Sequence, residues 1–391
     1  MNASLVIFLK EARENLRDKR TLINALLTGP LIGPLIFIMI VNIMISRELN
    51  QAEAPLELPV IGAAYAPNLI DALREQGFDP QPPVADPIAA VRNRDAAAVL
   101  RVPAGFGKSW GQGDPAQVEV YYDSSRRDTQ PAVTRLRAML ENYARRTAGM
   151  RLIARGLSPA LASPVVVDAR DQSTPRSRAG ALFSILPYFF VLTVFIGGMY
   201  LAVDLTAGER ERQSLEPLLV NPVAPWRILI GKIAAICAFS VSSLLVCVAA
   251  FTVAARFIPT EKLGMDFGLG PAFALEVLVL MLPLVLLIAA LQTLVAAFSK
   301  SYREAQTYLG LLMLVPVVPS VLLSILPIKT AAWMYTVPLL GQQVGITELL
   351  LGGAVTAAQV ATCLVCGFAV AVLMLAITAR VYASERLAIS A

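Results

Sequence analysis

The chain has 391 residues, of which 56% are hydrophobic and only 16% charged, and its mean hydropathy is +0.64. This composition is typical of a membrane protein with several spans and excludes an ordinary soluble enzyme. The formal net charge is +5, but most basic residues flank apolar runs, which argues against nucleic-acid binding. The chain has no histidine, so it lacks the commonest general base and the commonest metal ligand.

Six apolar segments are predicted to cross the membrane, because each holds about the 20 residues that a bilayer core requires. An amphipathic cytoplasmic helix at residues 1–21 precedes the first segment, 22–45, which Pro30 and Pro34 are expected to bend. The other five lie within residues 179–381, at about 180–204, 228–255, 272–298, 308–326 and 357–380. The predicted fold class is an all-α polytopic membrane domain of six transmembrane helices with an inserted α/β domain.

The inserted domain is predicted at residues 46–178, between the first and second spans. Strand-like runs alternate there with helix-like runs, which indicates a small α/β domain. The expected strands are 58–65, 96–103, 116–123 and 164–170, and the expected helices are 68–77, 86–94 and 131–156. A segment of this length can bury a core of its own.

Basic residues concentrate in alternate short segments between the predicted spans. The N-terminus, residues 205–227, residues 299–307 and the C-terminal region carry more Lys and Arg than the short segments on the other side. The positive-inside rule therefore predicts that both termini, including the tail at 382–391, are cytoplasmic. Residues 46–178 are then extracytoplasmic, in a protein of the bacterial inner membrane.

Residues 327–356 are apolar but interrupted by proline, glycine and glutamine. We expect short re-entrant helices that dip into the outer leaflet. The alternative is a seventh span, which would place the basic C-terminal region outside, against the charge rule.

The densest charge in the membrane domain follows the second span. Residues 208–220 are predicted to form a short cytoplasmic coupling helix, with spaced pairs such as Glu209/Arg212 and Arg212/Glu216, ending at Asn221-Pro222. A firm helix between two spans can transmit force from a cytoplasmic partner; the alternative is a solvated loop. The candidate coupling residues are Glu209, Arg210, Glu211, Arg212 and Glu216, with a second cluster at Lys300, Arg303 and Glu304.

Polar residues inside apolar spans are candidates for a substrate pathway. They are Asp204, Glu276, Gln292, Thr193 and Asn42. Asp204 and Glu276 lie at predicted span ends, so a structural role at the membrane boundary is the alternative for both.

Two short motifs suggest chemistry but are better explained otherwise. Val102–Ser109 ends in Gly-Lys-Ser, but valine stands where a phosphate-binding loop needs its first glycine. Cys363 and Cys366 are spaced like a metal or redox pair, yet on a membrane helix they are simply two small residues one turn apart. We therefore expect no catalytic residue, no metal site and no ATP site in this chain.

Several segments resemble one family of membrane proteins. The run DLTAGERERQSLEPLLVNPV followed by WRILIGK at 226–232 is similar to the signature of ABC type-2 exporter permeases. KEARENLRDKRTLINALLTGPLIGPL at 10–35, AFSKSYREAQTYLGLLMLVPVVPS at 297–320 and VPLLGQQ at 337–343 also resemble that family, as do VLRVPAGF and VEVYYD within 99–123. Within the family the chain is most similar to sodium-efflux permeases of the NatB type.

This resemblance implies a permease subunit that works with a separate cytoplasmic ABC ATPase, two permeases pairing with two ATPases. ATP and Mg would be bound by the partner, and the charged residues after the second span would dock on it. Gln213-Ser214 replaces the glycine usual in the family after the second charged pair. Three alternatives remain: a device that works a periplasmic partner, a receptor or adaptor whose outer domain binds a ligand, or an exporter of a drug, lipid or peptide.

Overall fold

The computed structural model describes residues 3–53, 56–126, 128–162, 168, 170, 172–177, 185–214, 223–258, 269–325 and 329–383. The chain divides into two compact units. The first, the membrane unit, comprises Met1–Asn42 and Gln172–Ala391, and the second, the sheet unit, comprises Ile43–Asp171.

The membrane unit begins with helices α1 (Ala3–Arg17) and α2 (Lys19–Ile23). A π-helical turn, Asn24–Thr28, then leads into α3 (Gly29–Glu53). Pro34 lies inside α3, which nevertheless continues well past the predicted end at 45. Helix α3 continues past its apolar run because residues 47–53, most of which are polar, are compatible with helix, and extending an existing helix costs little.

The sheet unit has four strands in the order β2-β1-β3-β4. The strands β1 (Leu56–Ile61), β2 (Phe78–Gln81) and β3 (Ala98–Arg101) are parallel, and β4 (Glu119–Tyr122) pairs antiparallel to β3. The helices are α4 (Pro67–Glu75), α5 (Pro87–Arg92), α6 (Phe106–Gln112) and α7 (Gln130–Ala154). Leu58, Leu73, Leu100 and Leu136 are fully buried between the sheet and these helices.

One strand of the sheet was missed in the sequence patterns. Strand β2 has the sequence FDPQ, whose aspartate and proline disfavour a strand assignment. The predicted strand at 164–170 lies mostly outside the described residues. Lys108 and Ser109 of the Gly-Lys-Ser motif lie within helix α6.

The remaining helices of the membrane unit are α8 (Leu186–Val203), α9 (Glu209–Glu211), α10 (Pro225–Ala255), α11 (Pro271–Phe298), α12 (Tyr302–Leu312), α13 (Val317–Ile325), α14 (Leu340–Leu350) and α15 (Ala357–Tyr382). Six helical stretches of the described residues are long and apolar enough to cross a membrane, which confirms the predicted number. We name them span 1 (Asn24–Ile43), span 2 (Leu186–Glu211), span 3 (Pro225–Ala255), span 4 (Pro271–Phe298), span 5 (Tyr302–Leu323) and span 6 (Ala357–Tyr382).

Span 2 is the most buried of the six and span 5 the least. Buried residues of spans 2, 3 and 4 form one apolar cluster, to which Ala25 of span 1 and Tyr382 of span 6 also belong. Span 2 therefore forms the centre of the bundle.

Span 5 is broken and starts at Tyr302, earlier than the predicted start at 308. Its two helices, α12 and α13, are separated by a turn in which Leu314 and Val315 donate to carbonyls three residues back, both at 3.1 Å. Pro316 and Pro319 account for the break, because proline lacks an N–H and its ring clashes with the preceding turn.

The segment predicted as re-entrant contains a short 3₁₀ helix, Ala332–Thr336, followed by α14. With 11 residues, α14 is about 16 Å long, only half of the roughly 30 Å of a bilayer core. No helix long enough for a seventh span is present among the described residues of 329–356.

Candidate functional site

Three of the charged residues, Glu209, Arg210 and Glu211, lie on the last turn of span 2. Helix α8 passes through a π-helical turn, Asp204–Gly208, directly into α9. The predicted end at 204 is therefore too early. The helix stops because Gln213 adopts φ +57°, while the amide of Ser214 donates to the Glu209 carbonyl at 2.9 Å.

Of the predicted coupling helix at 208–220, the structure describes residues 208–214. Its first residues are continuous with span 2, and regular helix ends at Glu211. Residues 215–222, including Glu216, lie outside the described residues. A charged segment continuous with a span moves as part of that span, which makes it a stiffer connection than a separate helix on flexible joints.

Glu209 forms an ion pair with Lys232 of span 3. The Lys232 side chain is 1% exposed, and that of Glu209 13% exposed. Lys232 Nζ also donates to the Leu205 carbonyl at 2.7 Å. Leu205 belongs to the π-helical turn, in which backbone hydrogen bonds join residues five apart instead of four. Its carbonyl thus accepts from a donor on another helix, Lys232.

Lys232 was missed in the sequence, although a usable signal was present. It is the only basic or acidic residue of span 3 after the first turn, and a charge inside a span is a candidate functional residue by default. Its burial is tolerated because it has both a carboxylate and a carbonyl partner. The ring of Tyr382, at the end of span 6, lies 5.9 Å from its Nζ.

Arg210 and Glu211 connect the same turn to two further spans. Arg210 Nη1 donates to the carbonyls of Ala297 and Ser299, each at 3.3 Å, where span 4 ends. Glu211 Oε2 accepts from the backbone N–H of Tyr302 at 2.9 Å, where span 5 begins. These charges satisfy helix-end groups that lack partners within their own helices.

Arg212 has a different role, because its partners lie on its own helix. It forms an ion pair with Asp204 and donates to the Gly208 carbonyl at 3.1 Å. Its side chain is 60% exposed. Asp204, predicted as a pathway residue, thus has a structural partner at the end of span 2.

The second predicted cluster shapes the start of span 5. Glu304 accepts from the Lys300 N–H at 2.6 Å, and Ser301 Oγ accepts from the Glu304 N–H at 3.2 Å. These bonds form a helix N-cap. Lys300 and Arg303 are exposed beside it.

Helix α1 packs closely against span 3 next to Lys232. A Cβ on Gly231 would lie 2.8 Å from the Ser4 carbonyl and from Ile7, so only glycine permits this approach. Glu11 is buried on this face and pairs with Lys10 at 3.2 Å. Burial alone would lower the pKa of Lys10, but the Glu11 carboxylate outweighs it and raises that pKa above its usual value.

The remaining predicted pathway residues are scattered. Thr193 and Gln292 are buried in the bundle, where Thr193 donates to Cys247 Sγ at 3.3 Å and Gln292 Nε2 to the Phe195 carbonyl at 2.7 Å. Asn42 is half-buried near the end of span 1, and Glu276 is exposed near the start of span 4. The structure does not bring these residues into one site.

Spans 2, 3 and 4 meet at Gly198. A Cβ on Gly198 would lie 2.6 Å from Ser240 Oγ and 3.0 Å from Gln292 Oε1. Both oxygens are buried, and neither has a hydrogen-bond partner within the part of the chain that the structure describes. Unpaired buried oxygens are costly, so this contact, which we call the Gly198 seam, is a place where a donor or cation would be stabilised.

The described part of the chain thus has six helices able to cross a membrane, and one charged turn on span 2 joins that span to spans 3, 4 and 5. The family profile of ABC-2 family transporter proteins matches residues 27–380, so the chain belongs to that family. Permeases of this family work with a partner ATPase subunit and are not ATPases themselves.

The comparison with curated proteins supports the same family. The chain is 28% identical over 318 residues to the ABC transporter permease protein NatB of Bacillus subtilis (strain 168), and the match covers 80% of each protein. The family resemblance seen in the sequence is thereby confirmed.

Proposed function

We propose that this permease belongs to an ATP-driven exporter and that the last turn of span 2 transmits movement from the ATPase to the other spans. The observation that carries this proposal is that successive charges contact different spans. Glu209 contacts span 3, Arg210 contacts span 4 and Glu211 contacts span 5. A displacement of this turn therefore acts on three spans at once.

The coupling residues divide into an inner and an outer group in this proposal. Glu209, Arg210 and Glu211 hold the spans together, whereas the exposed Arg212, Lys300 and Arg303 are available to the ATPase. Glu216, predicted from the sequence as a coupling residue, lies outside the described residues and is assigned to neither group. ATP and Mg are bound by the ATPase, and its closure pulls on the outer group.

Substitutions of the charged residues test the roles of the inner and outer groups separately. The double substitution Arg212→Glu/Arg303→Glu should abolish co-purification of the ATPase, because it reverses two charges of the docking surface. Arg210→Gln should leave co-purification intact but remove substrate-stimulated ATP hydrolysis, because span 4 is released from the turn. As a control, Arg92→Gln at an exposed position of the sheet unit should change neither property.

Two results would count against this division. If Arg210→Gln keeps full stimulation, the contact with span 4 does not carry the movement. If the double reversal still binds the ATPase with unchanged affinity, docking uses another surface.

We further propose sodium as the exported substrate. Support comes from the resemblance to sodium-efflux permeases and from the unpartnered oxygens of Ser240 and Gln292, since hard cations bind oxygen ligands. In proteoliposomes containing permease and ATPase, sodium should raise ATP hydrolysis and potassium should not. Stimulation by a drug, lipid or peptide, with no response to sodium, would replace this assignment.

The proposed assembly contains two permease copies and two ATPases in the bacterial inner membrane. The positive-inside pattern supports cytoplasmic termini and an extracytoplasmic sheet unit. Membrane-impermeant labelling of cysteines at Arg212 and Ile88 tests the topology, because only the second should react from outside in intact cells.

A second candidate function is a device that transmits force to a periplasmic partner. It is favoured by the sheet unit, which has a core of its own, separate from the spans. ATP hydrolysis that requires an added periplasmic protein, and no transported solute, would support this alternative over export.

A further inference from the structure

Helix α7 carries an apolar stripe that its own domain covers only in part. At 25 residues it is about 37 Å long. In its first half, Val133, Leu136 and Met139 are buried against the sheet. Further along, Met150 and Ile153 are 55% and 62% exposed. The second half of α7 therefore presents large apolar side chains to its surroundings.

The uncovered apolar residues continue beyond the helix. The turn after α7 is closed by Gly156, with φ +71°, and by a bond from the Leu157 N–H to the Leu152 carbonyl at 2.9 Å. Leu157 and Leu161 follow and are both about half exposed or more. We call Met150, Ile153, Leu157 and Leu161 the α7 apolar end.

The α7 apolar end lies in a strongly basic stretch. Residues 142–167 contain four arginines and no acidic residue. Arg151 is bound to the sheet unit, since it donates to the Trp110 carbonyl at 2.8 Å and stacks on the Trp110 ring at 4.6 Å. Arg145, Arg146 and Arg155 are exposed.

The positive charge of this stretch favours one kind of partner for the α7 apolar end. Two copies of the α7 apolar end would bring like charges together, which disfavours self-association. Exposed apolar side chains flanked by arginines are instead the combination that binds an anionic lipid surface. The chain also returns to the bilayer after this end, because span 2 begins at Leu186, 25 positions after Leu161.

We propose that the α7 apolar end binds the surface of the bilayer that holds the spans. The apolar side chains insert among the upper acyl chains, and Arg145, Arg146 and Arg155 contact anionic phosphate headgroups. The sheet unit is thereby held at the membrane at a second point, besides its covalent connections to the spans.

Fluorescence quenching in the full chain tests this contact. A fluorophore is attached at Ile153→Cys, or at Ile88→Cys as control, in a background with the native cysteines replaced by alanine. Ile88 is also 52% exposed but lies on α5. In vesicles of phosphatidylcholine and phosphatidylglycerol, acyl-brominated lipid should quench the label at 153 by at least about twofold more than that at 88.

The second part of the test is how quenching depends on the charge of the lipid and of the three arginines. Quenching at 153 should fall towards the control value in pure phosphatidylcholine, or when Arg145, Arg146 and Arg155 are replaced by glutamate. Equal quenching at both positions would overturn the proposal. Protection of the label from water without quenching by lipid, seen only at high protein density, would indicate that a second copy covers the surface. That result would also overturn the proposal.

A measurement on the native chain guards against misfolding of the variants. Trypsin cleavage after Arg155 should be slower in anionic vesicles than in detergent, while cleavage after the exposed Arg94 should be unchanged. Equal cleavage rates at Arg155 in both media would contradict the proposal.

Discussion

Lys232 connects span 3 to the last turns of span 2. It is buried in span 3 and joins Glu209 and the Leu205 carbonyl of span 2. The charge run at 209–212 was recognised from its density, but its partners could not be predicted from the sequence. Ion pairing across 23 positions depends on how two helices pack, which side-chain spacing within one helix does not reveal.

We expect Lys232→Met to destabilise the protein by about 3–5 kcal/mol, because it leaves the Glu209 carboxylate buried without its counter-charge. The double variant Lys232→Met/Glu209→Gln should recover most of this loss. Thermal unfolding in detergent measures both. Lys300→Met, at an exposed position, is the matched control and should shift the midpoint little. A double variant as unstable as the single one would contradict the ion-pair explanation.

Gly198 supports a second prediction. Gly198→Ala should destabilise the protein by about 1–3 kcal/mol, because the added methyl group would meet Ser240 Oγ at 2.6 Å. Ser240→Gly should relieve much of the strain in the double variant. Gly310→Ala is the control, since a Cβ there meets nothing within 4 Å. If the two alanine variants had the same unfolding midpoint, the Gly198 seam would accommodate the added methyl group without strain, and the prediction would be wrong.

At the scale of elements, the spans and most of their ends were predictable: spans 3, 4 and 6 begin and end within about three residues of the predicted bounds, and span 1 ends at Ile43, close to the predicted 45. An apolar run indicates where hydrocarbon can surround a helix, but the backbone hydrogen bonds can continue beyond it. Span 2 therefore ends at Glu211 rather than 204, and helix α3 continues past span 1 to Glu53. The break in span 5 was signalled by Pro316 and Pro319, but its position between α12 and α13 required the structure.

The end of α7 provides a prediction about a single turn. Gly156→Ala should weaken this turn by about 1 kcal/mol, because a φ of +71° is unfavourable for alanine. Gly111→Ala, inside helix α6 and in open space, should instead stabilise its helix slightly. Hydrogen exchange of peptides covering 150–160 and 106–113 measures both effects. Slower exchange in the Gly156 variant would contradict the prediction.

For the molecule as a whole, composition predicted the membrane protein and the motif around 204–232 predicted the family. The substrate could not be predicted, because scattered hydroxyl and amide groups suit many solutes. At the Gly198 seam the structure shows two buried oxygens without partners among the described residues, those of Ser240 and Gln292, which come from different spans. Residues so far apart in the sequence form no motif, so their proximity could not be predicted.

The π-helical turn at Asp204–Gly208 determines which direction each charge faces. A π turn holds one residue more than an α turn, so everything after it is rotated by roughly 100° relative to a regular helix. If the same residues formed a regular α-helix instead, Glu209, Arg210 and Glu211 would turn away from their partners together, with every side chain still present. The contacts of these charges with three spans therefore depend on one extra residue in the π-helical turn.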